Sequence, residues 1–178
     1  SLLGFWSKLF DGAHGHVVPL WHSPSAARTL TALSCLVLVA ATLSSVGWIA
    51  RFAGRASDGG GDRNLAFGLC CSGMLLASPI TWDHAFLLLI PAFWFAWQAC
   101  DGRTAVRLLI VLLAIVLLWL NPMTVWAAIV PDQFGTNGRA RLASPACALT
   151  VVSFQFYALL GFYLLVFAAL RRRRKETS

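Results

Sequence analysis

Charge is scarce in this chain. Of 178 residues only 12% are charged, about half the share usual in a soluble domain. Acids are scarcer than bases: seven Asp and Glu stand against 14 Lys and Arg, a formal net charge of +7. That shortage excludes a disordered chain, a coiled coil and an ordinary cytosolic domain. The period-two alternation of a membrane barrel is absent. A basic start followed by an apolar core is also absent, so the opening stretch is no signal peptide. The chain opens on Ser1 rather than Met and is expected to be a fragment of a longer protein, or a processed piece. Residues 54–62 carry Gly59, Gly60 and Gly61 between Asp58 and Asp62 and are expected to form a flexible connector. No Lys-Ser/Thr follows and no strand precedes, which excludes a phosphate loop. Cys35, Cys70, Cys71, Cys100 and Cys147 lie in or beside apolar segments without metal-knuckle spacing. They are expected to be small buried hydrophobes rather than a disulfide framework.

Apolar residues are what the chain has in excess: 58% of it, with a mean hydropathy of +0.72. A membrane-crossing helix needs about 20 of them in succession. Five segments come close, at 29–50, 64–80, 82–100, 104–120 and 146–170. Helices are the natural solution, because lipid satisfies no backbone donor or acceptor. The expected fold is all-α, a multi-pass helical membrane protein of about five transmembrane helices. The whole of 1–178 forms one transmembrane domain, with a basic tail at 171–178. Two shorter stretches, 2–10 and 123–130, have apolar helical spacing and are expected to lie in the interface. Pro91, inside the third span, is expected to make a packing kink.

With five spans the connections alternate sides. One side then holds ten Lys and Arg: Arg51, Arg55, Arg63, Arg103, Arg107 and the five of 171–175. The other holds four: Lys8, Arg28, Arg139 and Arg141. The positive-inside rule puts the C-terminus in the cytoplasm of a bacterial cell, across its plasma membrane. The basic run abuts an apolar segment, so it clamps a membrane surface and implies no nucleic-acid partner.

All four histidines, His14, His16, His22 and His84, fall on the outer side, with Asp11, Asp83 and Asp132. Chemistry is therefore expected there. The densest stretch is Ser78-Pro79-Ile80-Thr81-Trp82-Asp83-His84. Pro79 ends one helix; Ser78 or Thr81 caps the next. Asp83 then either complements the helix dipole or is a functional group at the edge of a span. His84, beside free helix N–H groups, could donate to a phosphate or be an interfacial residue bonded to water. Arg139 and Arg141 could pair with an anionic headgroup or be solvated loop charges. The His14, His16 and His22 spacing matches no zinc pattern, and no metal or other cofactor is expected.

The 78–84 string, followed by Leu87-Leu88-Leu89-Ile90-Pro91-Ala92, closely resembles a motif of glycosyltransferase family 87. That family includes polyprenol-phosphate-mannose-dependent α-1,2-mannosyltransferases of actinobacterial envelopes. Ser1-Leu2-Leu3-Gly4-Phe5 resembles the end of the family's Asn-Gln-Ser-Leu element. The resemblance spans the chain as the C-terminal half of such an enzyme. It implies a GT-C fold with an outward-facing active site. It also implies transfer of mannose, or another hexose, from a polyprenyl-phosphate sugar to a glycolipid or envelope glycan. His84 matches the motif histidine and is expected to contact the donor phosphate, with Asp83 orienting it. Trp82 is expected to stack on the sugar or wall a lipid groove. The general base is expected upstream of this chain, which alone should be inactive. The rival readings are a small transporter and a non-catalytic lipid-handling or scaffold subunit; a transporter calls for ionisable residues in mid-span, and the sequence has almost none.

Overall fold

A computed structural model describes residues 1–11, 18–47, 60–78, 83–100, 103–121, 124–125, 149–150 and 153–177. Among them there are helices and no strands. Six α-helices follow in order: α1 (Leu2–Phe10), α2 (Pro24–Val46), α3 (Gly60–Ala77), α4 (Leu89–Ala99), α5 (Thr104–Leu118) and α6 (Phe154–Thr177). A 3₁₀ helix, Asp83–Leu88, leads into α4.

Helix starts and stops follow local chemistry. Ser1 Oγ accepts from the Gly4 N–H at 3.2 Å and caps α1. Pro24 stands in the first turn of α2, where its missing N–H costs nothing. Gly47 ends α2 at φ 67°, the left-handed conformation that glycine adopts without strain. Arg171 to Lys175 prolong α6, being good helix formers whose charge suits a C-terminus.

The five long helices alternate in direction. Tyr163 of α6 meets Thr42 of α2. One residue back, the Phe162 ring packs tilted against Phe93 of α4 with ring centroids 4.2 Å apart. The ring of Phe5 in α1 stacks on Phe156 at 4.6 Å, so α1 lies across the start of α6. The opposite end gathers Ala99, Arg103 and Arg172 around one groove. The bundle thus has an α1 end and an arginine end. The centre is α6, whose Leu159, Phe162, Val166 and Leu170 are fully buried.

The tightest seam joins α3 to α4. A β-carbon on Gly68 would stand 3.4 Å from Ala92 Cβ. Ser72, one turn on from Gly68, is fully buried, as are Ala92 and Ala96. Small residues four apart on each helix let the two backbones approach, the association device of helices in lipid. Ser72 Oγ donates to the carbonyls of Gly68 and Leu69, so its polarity is spent within its own helix.

Two helices, Pro24–Val46 and Phe154–Arg173, are long and apolar enough to cross a membrane. Only 11% and 33% of their apolar windows are buried inside the chain, unlike the core helix of a soluble protein. Leu36, Val37, Met74, Trp94, Leu108 and Leu112 are all more than half exposed. Soluble monomers rarely show so continuous an apolar surface, and it is what a membrane-associated bundle presents.

Several expectations need correction. The glycine run is not wholly a connector: α3 begins at Gly60, where glycine is better tolerated than in a helix interior. The last long helix begins at Phe154 rather than 146 and extends to Thr177. Cys70 is exposed, not buried; among the other described cysteines Cys35 and Cys71 are half-buried and Cys100 buried, and all four are free thiols. Pro91 does not kink a long helix. It stands in the first turn of α4, after the 3₁₀ turns, where the preceding residues need not supply an α-helical partner. The proposed helix at 123–130 lies outside the described residues except for 124–125.

Replacing Ala92 by Leu should push α3 and α4 apart and destabilise the chain by about 1–3 kcal/mol. Reversible unfolding in detergent checks this; an unchanged midpoint would contradict the close seam.

Candidate functional site

At the α1 end, α2 and α6 run side by side without closing against each other. Between them lies an apolar groove of about 430 Å³. Val37 and Ala41 form one wall, Leu160 and Leu164 the other. Leu76 of α3 closes the back and Leu2 of α1 the top. Its floor is pinned by one polar contact. Thr42 Oγ1 and Tyr163 Oη are 2.9 Å apart, and Thr42 donates to the Leu38 carbonyl at 2.8 Å. Gly73 leaves room for this pair: a β-carbon there would stand 3.3 Å from Thr42 Oγ1.

Helix α1 is held over the groove from several sides. The Trp6 indole N–H donates to Ser34 Oγ at 3.1 Å, tying α1 to a groove-lining residue. Phe5 stacks on Phe156 and meets Tyr157 edge-on. The returning chain donates from the N–H groups of Leu20 and Ser23 to the Leu9 and Phe10 carbonyls, which a helix end otherwise leaves open.

The cation of this region is Lys8. Its Nζ donates to Ser153 Oγ at 3.4 Å, and Ser153 is buried immediately before α6. Burial lowers the Lys8 ammonium from 10.5 to about 8. A cation beside the start of a helix faces that helix's positive dipole end.

The residues singled out from sequence are distributed as follows. Asp83 and His84 are the first two residues of the 3₁₀ helix before α4. Trp82, Arg139 and Arg141 lie outside the described residues, as do His14 and His16. His22 is exposed, two residues before α2. Among the described residues no group of three or more His, Cys, Asp or Glu could hold a metal. Sequence reasoning counted Lys8 only as one outer cation among four. Its spacing carried the signal: Lys8 lies one turn from Phe5 on a nine-residue apolar helix. A cation at that position is carried toward the start of α6, where Phe5 meets Phe156.

Compared with known proteins, the chain matches no family model, no curated protein and no solved structure. The likeness to glycosyltransferase family 87 rests on the residues quoted for it.

The lowered Lys8 value fixes a pH dependence. Below about 8 the folded chain holds a partly buried ammonium, which costs stability. Between about 8 and 10.5 the unfolded chain keeps the proton that the folded chain has released, so stability rises with pH. Relative to Lys8→Met, the parent chain should therefore gain thermal stability from pH 7 to pH 10. A relative loss over that range would contradict the burial of Lys8.

Proposed function

We propose that this chain is the C-terminal half of a GT-C type membrane glycosyltransferase. It would transfer mannose, or another hexose, from a polyprenyl-phosphate sugar to a glycolipid or envelope glycan. The observation that carries this reading is an apolar groove topped by Leu2 of α1, the helix that also carries Lys8 six residues on. An isoprenoid chain fits the groove. Its phosphate is then met by Lys8 and by the start of α6.

In this reading all five long helices span the plasma membrane, with the arginine end in the cytoplasm. The lengths of α6 and of α4 with its 3₁₀ lead suit that, whereas α5 at 15 residues reaches about 22 Å. The 3₁₀ helix rises about 2.0 Å per residue and the α-helix about 1.5 Å, so Asp83–Leu88 and Leu89–Ala99 together reach about 28 Å. That is close to the roughly 30 Å hydrocarbon thickness. Phe154–Arg173 at 20 residues reaches about 30 Å. The motif at 78–84 then lies at the same end as α1, facing outward.

The chemistry follows from those positions. An acceptor hydroxyl attacks the sugar's anomeric carbon, and the bond to the phosphate oxygen breaks. The polyprenyl phosphate leaves with the bonding pair. The hydroxyl proton passes to a carboxylate supplied by the part of the enzyme that precedes this chain. Lys8 and His84 act on the leaving phosphate, where donors to developing negative charge are worth most. Asp83 orients His84, Trp82 stacks on the sugar, and Arg139 and Arg141 meet the anionic acceptor. A transporter reading has less support, because no charged side chain described on the long helices lies in mid-helix.

The test uses the full-length enzyme with polyprenyl-phosphate mannose and a lipid acceptor. His84→Ala should lower kcat by about 100-fold or more, the scale of a lost transition-state donor. Lys8→Met should raise the donor KM about tenfold, the scale of one lost hydrogen bond to a charged group. Transfer unaffected by both substitutions would overturn the reading.

A further inference from the structure

We infer that the arginine end holds a second lipid site, which binds one anionic phospholipid of the leaflet on that side. This inference rests on the chain's being membrane-embedded and is independent of sugar transfer. The site is a groove of about 810 Å³ between the end of α4, the start of α5 and residues 164–173 of α6. Its two ends differ in chemistry. Arg103, Arg172 and Arg173 line one end. Leu109 and Leu164 line the other. From Leu164 to Arg173 along α6 is about 14 Å at 1.5 Å per residue, the reach of an acyl chain from its headgroup into the bilayer.

The surrounding residues sharpen the charge. Arg107 lies over the Trp97 ring at 5.2 Å and Arg171 over Phe167 at 4.7 Å. Both contacts keep guanidinium groups at this level of the bundle. Arg103 stands at the N-cap of α5 and supplies no side-chain cap, so the helix start adds N–H groups of the same sign. Basic pockets between helices, open to the cytoplasmic leaflet, select anionic headgroups. A free phosphate would leave the apolar wall uncovered. A second copy of the chain docked on this face would set its own arginines against these. A phospholipid with a net negative headgroup satisfies both ends at once.

The experiment titrates the full chain in detergent with phosphatidylglycerol and phosphatidylcholine of equal chain length, counting bound lipid by native mass spectrometry. Phosphatidylglycerol should bind at least tenfold more tightly. R103Q combined with R173Q should weaken it about 30-fold, and each single substitution about fivefold, at about 1 kcal/mol per charge. The charge-matched pair R28Q and R63Q, both exposed at other sites, should leave it unchanged. Equal affinity for the two lipids, or an equal loss in both double variants, would overturn the proposal. So would displacement of the lipid by millimolar glycerol phosphate, which would mark a site for soluble anions. Partition of the chain into phosphatidylcholine vesicles separates the two levels of failure. A chain that enters those vesicles without headgroup preference lacks only this site, whereas one that does not enter them is not membrane-embedded.

Discussion

Every charged side chain described on the long helices lies toward a helix end. Arg28 is in the second turn of α2, Arg63 in the first turn of α3, Arg107 in the first turn of α5 and Arg171 to Arg173 in the last turns of α6. The stretches between them are apolar. A hydrocarbon surrounding would impose this spacing, because it tolerates charge only near an interface and obliges each backbone group to be paired within its own helix. The rest of the fold is consistent with that one restriction. The helices stay uninterrupted, their outward faces carry leucine and valine, and polar hydroxyls such as Ser72 and Thr31 bond back to their own helix.

With apolar side chains on both sides of every helix, burial alone does not choose partners. Close packing and a few polar contacts do. Gly68 against Ala92 sets how near α3 comes to α4. Thr42 with Tyr163 sets the level of α2 against α6. That contact lies beside the groove, and Trp6 and Phe5 hold α1 at its top.

Much of this was legible in the sequence, for physical reasons that can be named. The span of α1 follows from its apolar spacing, and the start of α5 from the apolar segment that opens at Thr104. Where hydropathy is uniform, the boundaries were not legible. The long helix begins at Phe154, after a turn at Thr150 and a 3₁₀ residue at Ser153, although hydropathy marks no change there. The switch from 3₁₀ to α-helix ahead of Pro91 depends on tertiary contacts that no window of sequence carries. The groove was illegible for the same reason, since it is a space between α2 and α6, more than 100 residues apart in the chain. Lys8 was visible as a charge but not as a neighbour of Ser153. Of the residues nominated from the motif, Asp83 and His84 mark the start of the helix into α4, and their roles remain those of the proposed enzyme.

The proposed enzyme requires the two ends of the bundle to face opposite sides of a bilayer. Single cysteines placed at His22, Arg103 and Arg173 in an otherwise cysteine-free chain test it directly, with a membrane-impermeant thiol reagent applied to intact cells. Position 22 should label at once, and positions 103 and 173 only after the cells are opened. Labelling of 22 and 173 from the same side would contradict the account.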